Sequence, residues 1–247
     1  MIRWRRSVWM AYIAVLHVAF FLACWKTDIL PRCGRRLGLL PPLPPVATAQ
    51  LHYQHMLQFH DWMDGSVPPG SVMFLGDSLI QSLCVAAVAP DGVNYGIGGD
   101  TTGGLLYRMG HYHSLSRCRA AVIQVGVNDL SSFSNTDILR DYTHLLDAVS
   151  QPVIVCGLLP VNERDHEALT GYNIRIRALN RDLEQLCQRQ SNRIFLDSGP
   201  HLADESGQLA ASNHVGDGVH LSSTGYGIWI SDLRHALEAL LSQRVVE

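Results

Sequence analysis

The chain has 247 residues, of which 47% are apolar and 17% charged, and its formal net charge is −3. That composition excludes a disordered chain, and the lack of basic excess argues against a nucleic-acid partner. Beyond an unusual N-terminus, roughly 180 to 200 residues remain, enough for one domain with a substantial core.

Residues 7–25 (SVWMAYIAVLHVAFFLACW) contain no Asp, Glu, Lys or Arg. As a helix, this run reaches about 28 Å, close to the hydrocarbon thickness of a bilayer. Arg3, Arg5 and Arg6 precede it, which fits a signal peptide or a signal anchor. No small-x-small cleavage site follows directly, and Phe21-Leu22-Ala23-Cys24 is a poor lipoprotein-type match, so an uncleaved anchor over 1–28 is expected. Lys26, Arg32, Arg35 and Arg36 balance the arginines before it, and the positive-inside rule does not decide the orientation. A short basic N-terminus before a large C-terminal domain usually stays inside. The expectation is therefore a membrane-anchored protein whose domain is periplasmic or extracellular.

Residues 30–46 hold five prolines and two glycines, a composition that favours extended polyproline conformations and reads as a stiff tether over 29–50. A lead-in helix is expected over 47–63, with Tyr53, Met56 and Leu57 on one face, and the domain over 51–247. His52 and His55, like His111 and His113, lie close together in sequence but lack further ligands, so no metal is expected. Six cysteines (24, 33, 84, 118, 156 and 187) form no CxxC pair and read as neither a zinc site nor a dense disulfide framework. Cys156 lies in an apolar run and reads as a buried small hydrophobe.

From residue 71 onward, short apolar runs alternate with helical periods. Strands are predicted at 71–75, 93–95, 120–125, 153–158 and 193–196, most of them continuously apolar, as in a parallel sheet covered on both faces. Between and after them, one face is kept by Ile138, Tyr142, Leu145 and Val149, another by Tyr172, Ile176, Leu179, Leu183 and Leu186, and a third by Tyr226, Ile230, Leu233, Leu237 and Leu240. This alternation predicts an α/β fold: a three-layer α/β/α sandwich around a mostly parallel five-stranded sheet, with its active site beyond the carboxyl ends of the strands.

Four segments fall there. Gly76-Asp77-Ser78-Leu79 ends the first strand and exposes a hydroxyl at a helix start, although a serine in that place also serves as a plain cap. Asn94-Tyr95-Gly96-Ile97-Gly98-Gly99-Asp100-Thr101-Thr102 follows the second. It reads as a glycine turn or as a loop whose N–H groups approach a ligand, and it lacks the third glycine of a dinucleotide fingerprint. Gly126-Val127-Asn128-Asp129 follows the third strand and offers either an amide donor for an oxyanion or an Asx turn. Gly216-Asp217-Gly218-Val219-His220 precedes the last helix. It supplies an imidazole suited to activate a hydroxyl and a carboxylate suited to fix its tautomer.

The four blocks, in this order, resemble those of the SGNH hydrolase superfamily, the GDSL esterases and lipases, over about residues 70–241. The resemblance implies a flavodoxin-like sheet, Ser78 as nucleophile, His220 as base, Asp217 as its orienter, and an oxyanion hole made by Ser78 N–H, Gly99 N–H and the Asn128 amide. Asp77 is a supporting residue with no assigned chemistry. The stretches 94–102 and Gly157-Leu158-Leu159-Pro160 look most like the catalytic subunits of intracellular platelet-activating-factor acetylhydrolases, which prefer short acyl groups. The membrane segment and the tether depart from that group.

The implied chemistry is two-step acyl transfer with no cofactor or metal. The expected substrate is a short acyl ester, acetyl first, on a glycan or small molecule. Alternatives are a lysophospholipid or thioester with a longer chain, and O-acetyl transfer to a sugar. A binding module without catalysis is the rival from another class, and the presence of every triad and oxyanion residue stands against it.

Overall fold

The computed structural model describes residues 9–10, 12–18, 20, 45–164 and 166–242. The chain divides into two units, Met1–Thr48 and Ala49–Glu247. In the first, residues 9–10, 12–18 and 20 are helical. Among the described residues no helix is long and apolar enough to cross a membrane. The membrane-spanning helix expected over 7–25 is thus not supported by the structure, and much of that run lies outside the described residues. So does most of the expected tether, although Pro45 and Val46 stand in a helix rather than in an extended segment.

In the second unit, five strands form one parallel sheet: β1 (Val72–Gly76), β2 (Gly92–Gly96), β3 (Ala120–Gln124), β4 (Val153–Cys156) and β5 (Arg193–Leu196). Their order is β2-β1-β3-β4-β5. Each lies where the apolar runs predict it. β4 stops two residues short of the expectation because the N–H and C=O of Leu158 pair with the Asn180 side chain, at 2.8 and 2.9 Å, rather than with a strand.

Side chains on successive strand residues point to opposite faces. Met73 and Leu75 of β1 join one core, with Ala121, Ile123, Val153 and Val155. Val72 and Phe74 join the other, with Val122, Ile154 and Cys156. Every one of these residues is buried, which is why the strands read as continuous apolar runs rather than alternating ones. Cys156 is 1% exposed, the buried hydrophobe the sequence predicts.

Among the described residues of this unit the α-helices are α1 (Pro45–Asp64, in this unit from Ala49 on), α2 (Ser78–Gln81), α3 (Thr102–Met109), α4 (Asn135–Asp147), α5 (Tyr172–Cys187), α6 (Gly199–Leu202) and α7 (Ser223–Ser242). The first core is closed by Leu105 of α3, Ile138 and Tyr142 of α4, and Ile176 and Leu183 of α5. The second is closed by Ile80 of α2, Leu202 of α6 and Trp229 and Leu233 of α7. The result is the expected three-layer sandwich. Ser134 and Asp137 form a capping box that starts α4. The periodicity does not predict α3, because two glycines, Gly103 and Gly104, occupy its first turn. The Thr101 hydroxyl, which accepts from Gly104 N–H at 3.1 Å, holds that turn.

β2 and β3 lie on opposite sides of β1, so the chain reverses direction across the sheet at β1. A crevice at the carboxyl end of β1 is therefore set by topology. Gly76 closes that strand, and Asp77 and Ser78 follow it.

Candidate active site

Asp77 caps α2, its Oδ1 accepting the Leu79 N–H at 3.0 Å, and the chain turns so that Ser78 opens the helix. The turn sits very close to its neighbours. A Cβ on Gly76 would lie 1.9 Å from the Gln124 carbonyl oxygen, and one on Gly96 2.2 Å from the Gln81 nitrogen. Neither position admits a side chain. Asn94 fastens α2 to β2: its Nδ2 donates to Ile80 O at 2.7 Å and its Oδ1 accepts Gly96 N–H at 2.8 Å.

Ser78 Oγ donates to His220 Nε2 at 2.9 Å, and His220 Nδ1 donates to Asp217 Oδ2 at 2.6 Å. These residues come from opposite ends of the domain, 142 positions apart for the serine and the histidine. Burial works against the Asp217 carboxylate, but the N–H groups of Val219 and His220 and the His220 ring hold its pKa down to about 2. It stays ionised and keeps the ring facing the serine. The loop that carries both residues is organised by His214, whose Nδ1 accepts Gly216 N–H at 3.0 Å and Gly218 N–H at 3.2 Å. Gly218 has a φ of +75°, and a Cβ there would meet the Asn162 carbonyl at 2.7 Å.

Beside the serine stand the two other blocks. Asn128 Nδ2 donates to the Asp100 carbonyl oxygen at 2.8 Å, which fixes the amide and leaves its second N–H free to donate. Gly99 is exposed, with a φ of +78° and no atom within 4 Å of where its Cβ would be. The structure thus brings Ser78, His220 and Asp217 into one hydrogen-bonded chain, and ties the loop of Gly99 to Asn128 through Asp100.

Sequence reasoning passed over the residues that hold these loops together. Arg108 of α3 is fully buried. It donates to Asp100 Oδ2 at 2.7 Å, to the carbonyls of Gly76 at 2.8 Å and Tyr95 at 2.7 Å, and to the Tyr112 hydroxyl at 2.8 Å. One guanidinium therefore joins the ends of β1 and β2 to the loop that follows β2. Burial pushes the Asp100 carboxyl up, and the guanidinium pulls it back. Asp129 receives the N–H of Thr102 at 3.1 Å and its hydroxyl at 2.7 Å, joining the third block to α3. The Tyr112 hydroxyl donates onward to His60 Nδ1 on α1 at 3.0 Å. Burial and the Arg108 charge lower His60 to about 4, so it is neutral and able to accept. The only sequence signal for Arg108 was a lone charge among apolar residues in a segment without helical periodicity.

His52 and His55 do not converge with a third ligand. Among the described residues no group of three or more His, Cys, Asp or Glu side chains is placed to hold a metal. A cavity of about 350 Å³ lies between α5 and β5, lined by Ile176, Arg181, Phe195 and Pro200, and includes no residue of the Ser78–His220–Asp217 chain.

Residues 64–228 match the model of the GDSL-like lipase/acylhydrolase family, two thirds of the chain. The chain belongs to that family. This acylhydrolase is a carboxylic ester hydrolase. It is 29% identical over 190 residues to the alpha1 subunit of platelet-activating factor acetylhydrolase IB from Rattus norvegicus, covering 70% of this chain and 77% of that one. Two solved structures share its fold. A Streptococcus pneumonia protein named for platelet activating factor has a TM-score of 0.71 at 22% identity, covering 77% of this chain and 95% of that one. A GDSL-like lipase from Bacteroides thetaiotaomicron has a TM-score of 0.62 at 20% identity, covering 74% and 97%.

Two outcomes follow for the acylhydrolase. Arg108→Met leaves the buried Asp100 carboxylate without its partner and should cost about 3–5 kcal/mol, read as a lower urea midpoint. His60 has a folded pKa below its unfolded value, so its contribution to stability is full above pH 6.5 and is lost as pH falls from there towards 4. The stability difference between wild type and His60→Gln should shrink over that window. Asp77, pushed up by burial to about 7, gives the opposite slope, but it is present in both proteins and cancels. A difference that stays constant with pH would mean His60 is not held neutral.

Proposed function

We propose that this acylhydrolase cleaves short acyl esters, acetyl first, through a Ser78–His220–Asp217 triad. The observation that carries the reading is the unbroken hydrogen-bonded chain from Ser78 Oγ to His220 Nε2, 2.9 Å, and from His220 Nδ1 to Asp217, 2.6 Å. His220 takes the Ser78 proton as Oγ forms a bond to the ester carbonyl carbon. The carbonyl oxygen becomes an oxyanion, held by Ser78 N–H, Gly99 N–H and the free N–H of the Asn128 amide. The carbon–oxygen bond to the alcohol then breaks, and the alcohol leaves with the proton from His220. Water gives a proton to His220 and attacks the acyl-serine. Its collapse releases the carboxylic acid and returns the proton to Ser78.

Support for a short acyl group comes from the relatives named as acetylhydrolases, at 29% identity over 190 residues. Membrane attachment with the domain on the periplasmic or extracellular side belongs to the same proposal. It rests on the uncharged run 7–25 and the three arginines before it.

Ser78→Ala should lower turnover of a chromogenic acetate ester by about four to six orders of magnitude and abolish labelling by a fluorophosphonate. Asn128→Ala should cost about 10²–10³-fold in kcat. Near-normal activity in the serine variant would end the triad assignment. Across acetate, butyrate, octanoate and palmitate esters, kcat/KM should be highest for acetate, and a maximum at octanoate or beyond would replace the acetyl assignment with a long-chain one. The full chain should stay in the membrane pellet after an alkaline carbonate wash, and its release into the supernatant would remove the anchor.

A further inference from the structure

The turn that carries Gly99 has two adjacent glycines at its centre. Asp100 N–H donates to the Ile97 carbonyl at 3.1 Å, which makes Gly98 and Gly99 the central pair. The φ of +78° at Gly99 is that of a type II turn. In such a turn the central peptide, Gly98 to Gly99, has two opposite orientations. A side chain at Gly99 would disfavour the orientation with positive φ there; glycine admits both. One orientation presents the Gly99 N–H to the site. The other turns the Gly98 carbonyl oxygen there, where it would repel a developing negative charge.

Two side chains anchor the start of this turn. Gln81, the last residue of α2, accepts the Gly98 N–H through its Oε1. The same oxygen accepts from His52 Nε2 of α1 at 3.3 Å. The space beside Gly98 Cα is bounded by these groups and by the nucleophile. A Cβ placed there would lie 3.0 Å from Gln81 Oε1, 3.6 Å from His52 Nε2 and 3.9 Å from Ser78 Cβ. Gln81 is three residues after Ser78 and shares its short helix, so it ties the turn to the element that carries the hydroxyl.

We propose that Gln81 is a positioning residue of the oxyanion hole. Through the Ile97–Gly98 peptide it anchors the first central residue of the turn, which sets where the Gly99 N–H stands relative to the substrate carbonyl, and His52 fixes the Gln81 amide by donating to the same oxygen. The lead-in helix α1 is thereby part of the active-site assembly. This inference rests on the proposed triad and oxyanion hole. The loop itself is held independently by the Arg108–Asp100 pair and by the 3.0 Å bond from Ile97 N–H to the Gly76 carbonyl. Loss of Gln81 should therefore loosen the placement of one donor and leave the fold intact.

The test is steady-state kinetics on a chromogenic acetate ester with Gln81→Leu, His52→Ala and Ser78→Ala, together with thermal midpoints. Gln81→Leu should lower kcat about 10- to 100-fold, less than complete loss of one oxyanion donor, with KM within about threefold of wild type. His52→Ala should lower kcat about three- to tenfold, the loss of one neutral hydrogen bond. The thermal midpoints of both should stay close to wild type. A Gln81→Leu enzyme with unchanged kcat overturns the proposal. So does one in which KM alone rises, because that would make Gln81 a substrate contact. If Gln81→Leu fails to fold, His52→Ala decides: an unchanged kcat there overturns the proposal equally. Activity surviving in Ser78→Ala would instead defeat the triad, and the two failures are told apart within one series.

Discussion

The active-site end of this domain depends on one buried cation. Arg108 sits in a fully buried position, where an unpaired charge would be prohibitive, and each of its three guanidinium nitrogens is met by at least one acceptor. Those acceptors are the ends of β1 and β2, the loop carboxylate Asp100 and the Tyr112 hydroxyl. The cation cannot be satisfied unless the segment before Ser78 and the segment bearing Gly99 are in register. Satisfying its charge and assembling the site are therefore the same event. The fork geometry of arginine matters here, because a lysine ammonium would not reach acceptors spread over four chain segments.

Around that hub the remaining loops are joined by short polar contacts rather than by packing. Asn128 reaches Asp100 through its backbone carbonyl, and Asp129 binds the first residue of α3, so the third block is locked to the second from both sides. The fourth block is set separately. His214 gathers two glycine N–H groups, and the Asn162 N–H binds the Gly218 carbonyl at 2.8 Å. The His220–Ser78 hydrogen bond then joins the two assemblies. Glycines recur throughout because backbones pass one another too closely for a Cβ, as Gly76 and Gly96 show most plainly.

Helix α1 takes a larger part than its place before the sheet implies. Through His60 it meets Tyr112 and the buried network, and through His52 it meets Gln81 beside Ser78. Two histidines on one helix thus serve two different ends of the same polar system. In sequence, His52 stands out only for its nearness to His55, a pair without further metal ligands; in the structure its partner is an amide.

By itself, the sequence determined the sheet and the chemistry-bearing blocks. Strands covered on both faces must be continuously apolar, and helices covered on one side must repeat every three to four residues, so both were legible in single segments. The residues at strand ends were legible because glycine, serine, asparagine and an Asp-x-x-His spacing are local patterns. What joins those blocks was decided only by tertiary structure. Arg108, Asp129 and Gln81 reach groups 32, 27 and 17 residues away, these and the groups bound by His214 are mostly bare backbone, and a backbone donor or acceptor leaves no mark on the residue that supplies it. Helix α3 was hidden for a related reason: its glycines lower local propensity, and the buried ion pair that holds it in place exists only once the sheet has brought β1 and β2 together.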